Sequence, residues 1–238
     1  MKILMKNRKI GYTYGSVSGY FSFRKEKSIA FESLLEKDLL TLLEYNQKVL
    51  DVIGQPVTLM YPNHNNREVQ YTPDFLVYFK TNFGDTNYEL SNNKPLLIEV
   101  KPREKLRKEF HELRPRFKLA MKYAMENGFI FKLYDERKIR GTYFQNVSFI
   151  ERYKTLQYDK YEEERILKHL DTLGQTSIDH VLAYLYASQT HQGIALGQIW
   201  NMMANHKIAC DMNIPLTQKT VIWKNYDDGF DEGGDYLG

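Results

Sequence analysis

Apolar residues recur at helical spacing from about Ala30 to Lys48. Phe31, Leu34, Leu35, Leu39, Leu42 and Leu43 fall on one stripe, which predicts an amphipathic helix. The period then changes. Runs at Gln55–Tyr61, Val69–Lys80 and Pro95–Lys101 read as strands, separated by Asn63-His64-Asn65-Asn66 and by the stretch 81–94. Pro102 stops the third run, and a charged helix follows from about Arg103 to Asn127, with Gly128 as its cap. Phe129–Tyr134 reads as a buried strand, followed by a less regular stretch to about Tyr153. A helix between two strands favours a parallel pair inside an otherwise antiparallel sheet, so a mixed α/β core is expected.

The apolar pattern breaks at Tyr158–Glu164 and resumes as three helical stretches, about Tyr161–Leu170, Ser177–Ser188 and Gly193–His206. Two short strand-like runs follow, Lys207–Met212 and Leu216–Lys224, joined by Asn213-Ile214-Pro215. Three helices and a terminal hairpin are the layout of a winged helix, which is the expected reading, with an unrelated small α+β domain as the alternative. In the third helix, Ile194, Leu196, Ile199, Met202 and Met203 are expected to face the core. At the other end, Gly11, Gly15 and Gly19 alternate with Tyr12, Tyr14, Tyr20, Phe21 and Phe23, as in a flexible or hairpin arm. The expected organisation is an arm at 1–29, a main domain at 30–157, a small domain at 158–226 and a tail at 227–238.

The 238 residues suffice for a sizeable core, and 33 basic against 30 acidic residues leave a net charge of only +3. The distribution is more telling. Residues 1–29 carry seven bases against Glu26 alone, residues 101–118 carry eight bases against three acids, and the tail holds five acids and no base. A single cysteine, Cys210, excludes an intramolecular disulfide framework and a multi-cysteine zinc site, and fits a reducing cytosol. The N-terminus lacks the apolar core of a signal peptide, and no run approaches the ~20 apolar residues of a membrane span. A soluble, cytoplasmic protein without membrane contact is expected. The six histidines show no zinc-type spacing with cysteine, and no phosphate-binding Gly-rich loop is present.

The candidate chemistry lies in Tyr71-Thr72-Pro73-Asp74-Phe75 and Leu97-Ile98-Glu99-Val100-Lys101-Pro102. Residues i and i+2 of a strand share a face, so Glu99 and Lys101 point together while Ile98 and Val100 are buried behind them. Two converging carboxylates suit Mg²⁺, which is usually held by one or two carboxylates plus water and phosphate oxygens. A lysine beside them positions a water and offsets charge on a phosphate under attack. The bland reading is a structural Glu–Lys pair at a strand end, with Pro73-Asp74 as an ordinary turn. Against it stands the apolar setting of Leu96, Leu97, Ile98 and Val100, where unpaired charge is costly.

Sites of this kind often take a further carboxylate from a preceding helix, here Glu32, Glu36, Asp38 or Glu44. Glu44 falls opposite the apolar stripe. Glu32 and Glu36 share one flank of it, and periodicity alone does not separate them. Ser33-x-x-Glu36 also reads as a plain capping box. Basic residues near these segments, Lys25 and Lys27 on the arm and Arg103, Lys105, Arg107 and Lys108 after Lys101, are candidates for meeting a phosphate backbone. An arm packed on its own domain is the competing account of residues 1–29.

Ser33-Leu34-Leu35-Glu36-Lys37-Asp38, Leu42-Leu43-Glu44, Gln55-Pro56, Tyr71-Thr72-Pro73-Asp74-Phe75 and Glu99-Val100-Lys101-Pro102 together resemble the TnsA endonuclease subunit of heteromeric transposases. The likeness covers about residues 30–135, and the helical C-terminal region is similar in layout to that family's second domain. It implies a restriction-endonuclease-like, PD-(D/E)XK mixed-sheet core followed by a small winged-helix domain. It implies a Mg²⁺-dependent endodeoxyribonuclease, with Mn²⁺ as a substitute ion, that cuts the 5′ strands at double-stranded transposon ends. A TnsB-type transposase and a TnsC-type AAA+ ATPase are the implied partners. Carried over by residue, Glu36, Asp74, Glu99 and Lys101 form the catalytic set, with Glu36, Asp74, Glu99 and the Val100 carbonyl as metal ligands. Some family members carry glutamine where this chain has Glu99. Two other readings differ in what they expect: a free-standing restriction-type or junction-resolving nuclease cuts without partners, and a non-catalytic DNA-binding adaptor does not cut.

Overall fold

The computed structural model describes residues 17–62, 67–80 and 94–226, so most of the arm, His64 and the acidic tail lie outside the described residues. The chain divides into two compact units between Ile139 and Arg140.

The first unit opens with a hairpin of β1 (Gly19–Phe23) and β2 (Lys27–Phe31), followed by α1 (Leu34–Tyr45). The expected helix therefore starts later than Ala30. Ala30 and Phe31 pair with Tyr20 and Gly19, and Ser33 caps α1 by accepting the Glu36 N–H. Phe23, Ile29 and Phe31 are buried, so the described part of the arm packs on its own domain. On α1, Leu35, Leu39, Leu42 and Leu43 are buried as the stripe predicts, while Leu34, in the first turn, is exposed.

A strand absent from the sequence reading, β3 (Val49–Gly54), follows α1. Gln55 then takes a left-handed backbone at φ +48°, which ends β3 and delays β4 (Leu59–Pro62). The run Val69–Lys80 is likewise two strands, β5 (Glu68–Tyr71) and β6 (Phe75–Phe79), parted at Thr72-Pro73-Asp74 because proline has no N–H to pair. After β7 (Leu96–Val100) come α2 (Arg103–Glu126), β8 (Ile130–Tyr134) and the short α3 (Glu136–Ile139).

The main sheet has the order β3-β6-β7-β8. Its first two pairings are antiparallel and β7–β8, joined through α2, is parallel, as the crossover helix predicts. The β4–β5 hairpin forms a separate two-stranded sheet. Between this hairpin, α2 and the main sheet, Val57, Leu59, Tyr71, Leu76, Leu97, Ala120 and Ala124 form one core cluster. Helix α2 ends in a Schellman turn: Gly128, at φ +73°, donates to Met125, and Phe129 donates back to Ala124 at 2.8 Å.

The second unit contains α4 (Thr142–Ile150), a 3-10 turn at Glu151–Tyr153, α5 (Lys160–Leu173), β9 (Gln175–Ser177), α6 (Ile178–Leu185), α7 (Gln189–Ala204), β10 (Ile208–Cys210) and β11 (Val221–Lys224). Its sheet is antiparallel with the order β10-β11-β9. The division falls before α4 rather than at 157/158, because α4 belongs to this core. Phe149 meets Trp200 edge-on, and buried Asn146 donates to the Met212 and Ile214 carbonyls while accepting the Leu216 N–H. Asn201 similarly donates to the carbonyls of Tyr153 and Leu156. On α7, Ile199, Met202 and Met203 are buried as expected, but Ile194 is 58% exposed and Ala195 points inward in its place.

Candidate active site

Leu76 pairs with Leu97, so by alternation Asp74, Glu99 and Lys101 share the face of the core cluster, at one end of β6 and β7. Asp74 occupies the corner before β6. Its N–H donates to the Ile98 carbonyl at 3.1 Å, and its Oδ2 accepts the Val100 N–H at 2.7 Å. The Asp74 carbonyl accepts the Gln55 N–H at 2.8 Å, so the strained Gln55 corner also braces this turn.

Glu99 is 2% exposed. Lys101 Nζ lies 2.8 Å from its Oε1, and the Tyr71 hydroxyl donates to its Oε2 at 2.9 Å. Glu36, in the first turn of α1, accepts the Ser33 hydroxyl at 2.8 Å and the Glu32 N–H at 2.7 Å. The capping role of Ser33 and Glu36 therefore coexists with placement of Glu36 at the site. Glu32 accepts Gln55 Nε2 at 3.1 Å, which links the helix corner to the Asp74 corner.

The electrostatics bind these groups into one cluster. Burial first, and then the charge of Asp74, pushes Glu36 up to about 7, while Lys101 pulls the other way. Burial and then Glu99 push Asp74 up to about 7. Burial opposes the Lys101 charge, but Asp74, Glu99 and Glu36 together outweigh it and its pKa is raised. Tyr71 is raised by burial and by Glu99, so its hydroxyl stays protonated and remains a donor. Glu32 also raises Asp74, as a smaller contribution.

The structure thus gathers Glu36, Asp74, Glu99 and Lys101, with Val100 beside Asp74. Sequence reasoning assigned no role to Tyr71 or Gln55. Both stood in quoted motifs, but nothing local ties Tyr71 to Glu99.

The six basic candidates separate. Lys27 pairs with Asp51 at 2.9 Å, Arg103 with Asp135 at 3.3 Å and Lys108 with Glu104 at 2.6 Å. Lys25, in a left-handed turn, and Lys105 and Arg107 are exposed. Arg24, outside the expected set, turns inward to the carbonyls of Asn46, Val49 and Leu50.

Two family models match the chain. One, described as TnsA-like endonuclease N terminal, covers residues 46–136, and the other, TnsA endonuclease C terminal, covers 138–212. The chain belongs to the TnsA endonuclease family. Its domains are those of a transposition endonuclease with a restriction-endonuclease-like core. The N-terminal TnsA match contains Asp74, Glu99, Val100 and Lys101 and begins after Glu36, and the C-terminal TnsA match includes α4. No curated protein matches the chain. Among the described residues no helix is long and apolar enough to cross a membrane.

Proposed function

We propose that this TnsA-family chain hydrolyses the 5′-strand phosphodiester at double-stranded transposon ends in a Mg²⁺-dependent reaction, with Mn²⁺ as an alternative ion. It acts in the cytoplasm with a TnsB-type transposase and a TnsC-type AAA+ ATPase. The observation that carries this reading is the charge balance of the site: Glu36, Asp74 and Glu99 share one buried cluster with a single lysine.

A divalent cation fits that donor set. Burial, with repulsion from Asp74 on Glu36 and from Glu99 on Asp74, pushes both Glu36 and Asp74 up to about 7, an excess of negative charge that a +2 ion would offset. No group of three carboxylate, imidazole or thiol side chains forms a ready metal cage among the described residues. Mg²⁺ would therefore need waters and substrate phosphate oxygens to complete its shell, as it commonly does. Asp74 and Glu99, with the Val100 carbonyl, would hold the ion, and Glu36 would help a second ion or bind through water. The bound ion supplies Lewis-acid polarisation of the phosphate and a more acidic water.

The chain's own groups do the rest. The Val100 N–H orients the Asp74 carboxylate. Lys101 stays cationic, orients the attacking water and offsets the charge that develops on the phosphate. Lys25, Lys105 and Arg107 are exposed and suited to the DNA backbone, whereas Lys27, Arg103 and Lys108 are already paired with carboxylates.

The order of elements from α5 to β11 supports the winged-helix reading of this part of the second unit. Its last helix, α7, carries no lysine or arginine and is buried from Gln198 to Ala204. We therefore assign this unit to partner contact rather than to base reading through α7.

The deciding experiment is cleavage of a transposon-end duplex with and without the transposase, with Asp74→Ala as control. A 5′-strand nick that needs Mg²⁺, Asp74 and the partner supports the proposal. Cleavage by the chain alone favours a free-standing nuclease, and no cleavage in any mixture favours an adaptor.

A further inference from the structure

Glu99 is held at both oxygens by groups of different kinds. Lys101 takes Oε1 at 2.8 Å, and Tyr71 donates to Oε2 at 2.9 Å. The terminal torsion of a glutamate is broad and roughly two-fold, so the side chain itself does not set the plane of its carboxylate. Two donors on different oxygens do. Lys101 is the less permanent of the two, because in the proposed reaction it turns toward water and phosphate. Tyr71 stays. The residue is 5% exposed and packs in the cluster with Leu76 and Leu97, and Thr72-Pro73 alone separate it in sequence from Asp74.

We propose that Tyr71 is a positioning residue for the metal ligand Glu99. This rests on the metal-dependent reading above. Tyr71 comes from the β4–β5 hairpin, outside the main sheet, and its donated hydrogen bond fixes the carboxylate plane of Glu99 when Lys101 is engaged elsewhere. One short segment thus supplies both a ligand, Asp74, and the group that orients the other ligand. Partners of this kind typically govern metal affinity by ~10–100-fold.

The test is Mn²⁺ binding to the DNA-free full chain, read as free Mn²⁺ by electron paramagnetic resonance. Tyr71→Phe keeps the ring in the core and removes only the hydroxyl. It should weaken Mn²⁺ binding by about 10–100-fold, and should have no further effect in a Glu99→Ala background. Tyr61→Phe is the control for loosening of the same hairpin, because the Tyr61 hydroxyl accepts from Arg116 instead, at 2.8 Å. It should leave Mn²⁺ binding unchanged. Unchanged binding in Tyr71→Phe overturns the proposal, as does an equal loss in Tyr61→Phe or a full loss that persists without Glu99. If the unsubstituted chain binds Mn²⁺ no better than Asp74→Ala, the metal reading itself fails and the role of Tyr71 falls with it.

Discussion

Val100 donates its backbone N–H to Asp74 Oδ2 at 2.7 Å, so the strand that carries Glu99 also holds the carboxylate of Asp74. The bond lowers the pKa of Asp74 but does not offset its burial and the repulsion of Glu99, which leave it near 7 against an ordinary 3.8. The native state therefore binds more protons than the unfolded chain between about pH 4 and 7. Stability supplied by this group is present at low pH and is lost as pH rises through 7. Without metal, Asp74→Asn should raise the melting temperature at pH 8 by roughly 3–8 °C, for a gain of ~1–2 kcal/mol, and change it little at pH 4. Thermal melts in chelator at both pH values check the sign. A loss at pH 8 would contradict it.

In the proposed metal-dependent reaction, protons and metal would compete for the same oxygens. Glu36 and Asp74 both titrate near 7, so at limiting Mg²⁺ cleavage should rise with pH from 6 to 8. Raising Mg²⁺ should move the midpoint to lower pH. Rate–pH profiles at two Mg²⁺ concentrations test this, and a midpoint indifferent to Mg²⁺ would assign the limb to another group.

On the proposed mechanism, Lys101 would contribute charge at the reacting phosphate rather than metal ligation. Lys101→Met should lower the cleavage rate by about 10²–10³-fold while Mn²⁺ binding persists. Single-turnover cleavage beside Mn²⁺ binding separates the two quantities. Parallel loss of both would make Lys101 a support for Glu99 instead.

Asn146 serves the second unit alone. Its amide satisfies the Met212 and Ile214 carbonyls and the Leu216 N–H, all in the β10–β11 connection. Asn146→Ala should destabilise this unit by about 1–3 kcal/mol, the cost of leaving buried polar groups unpaired, and leave Mn²⁺ binding intact. Amide exchange at Leu216 should speed up. Wild-type protection there would show that the loop holds itself.

The sequence by itself determined whatever depends on neighbours along the chain. The stripe of Leu35, Leu39 and Leu43, the run Leu96–Val100 and the Gly128 stop are local periods and local stereochemistry, and they placed α1, β7 and the end of α2. The crossover helix implied the parallel β7–β8 pair, since a short turn cannot return the chain in the same direction. The i, i+2 rule placed Glu99 and Lys101 together for the same reason. Where local signals conflicted, tertiary pairing decided: Ala30 and Phe31 entered β2, and Val49–Gly54 became a strand because β6 lay beside it. Asn146, 66 and 68 residues from the carbonyls it donates to, drew α4 into the second unit, and no periodicity reports such a bond. Glu32 and Glu36 have the same helical phase, and only the folded corner turned one toward Gln55 and the other toward Ser33 within reach of the Asp74 charge. Tyr71 and Glu99 lie 28 residues apart in different sheets. Their hydrogen bond exists because packing of the β4–β5 hairpin over Leu76 and Leu97 carries a hydroxyl to a buried carboxylate, a coincidence in space that only the tertiary structure decides.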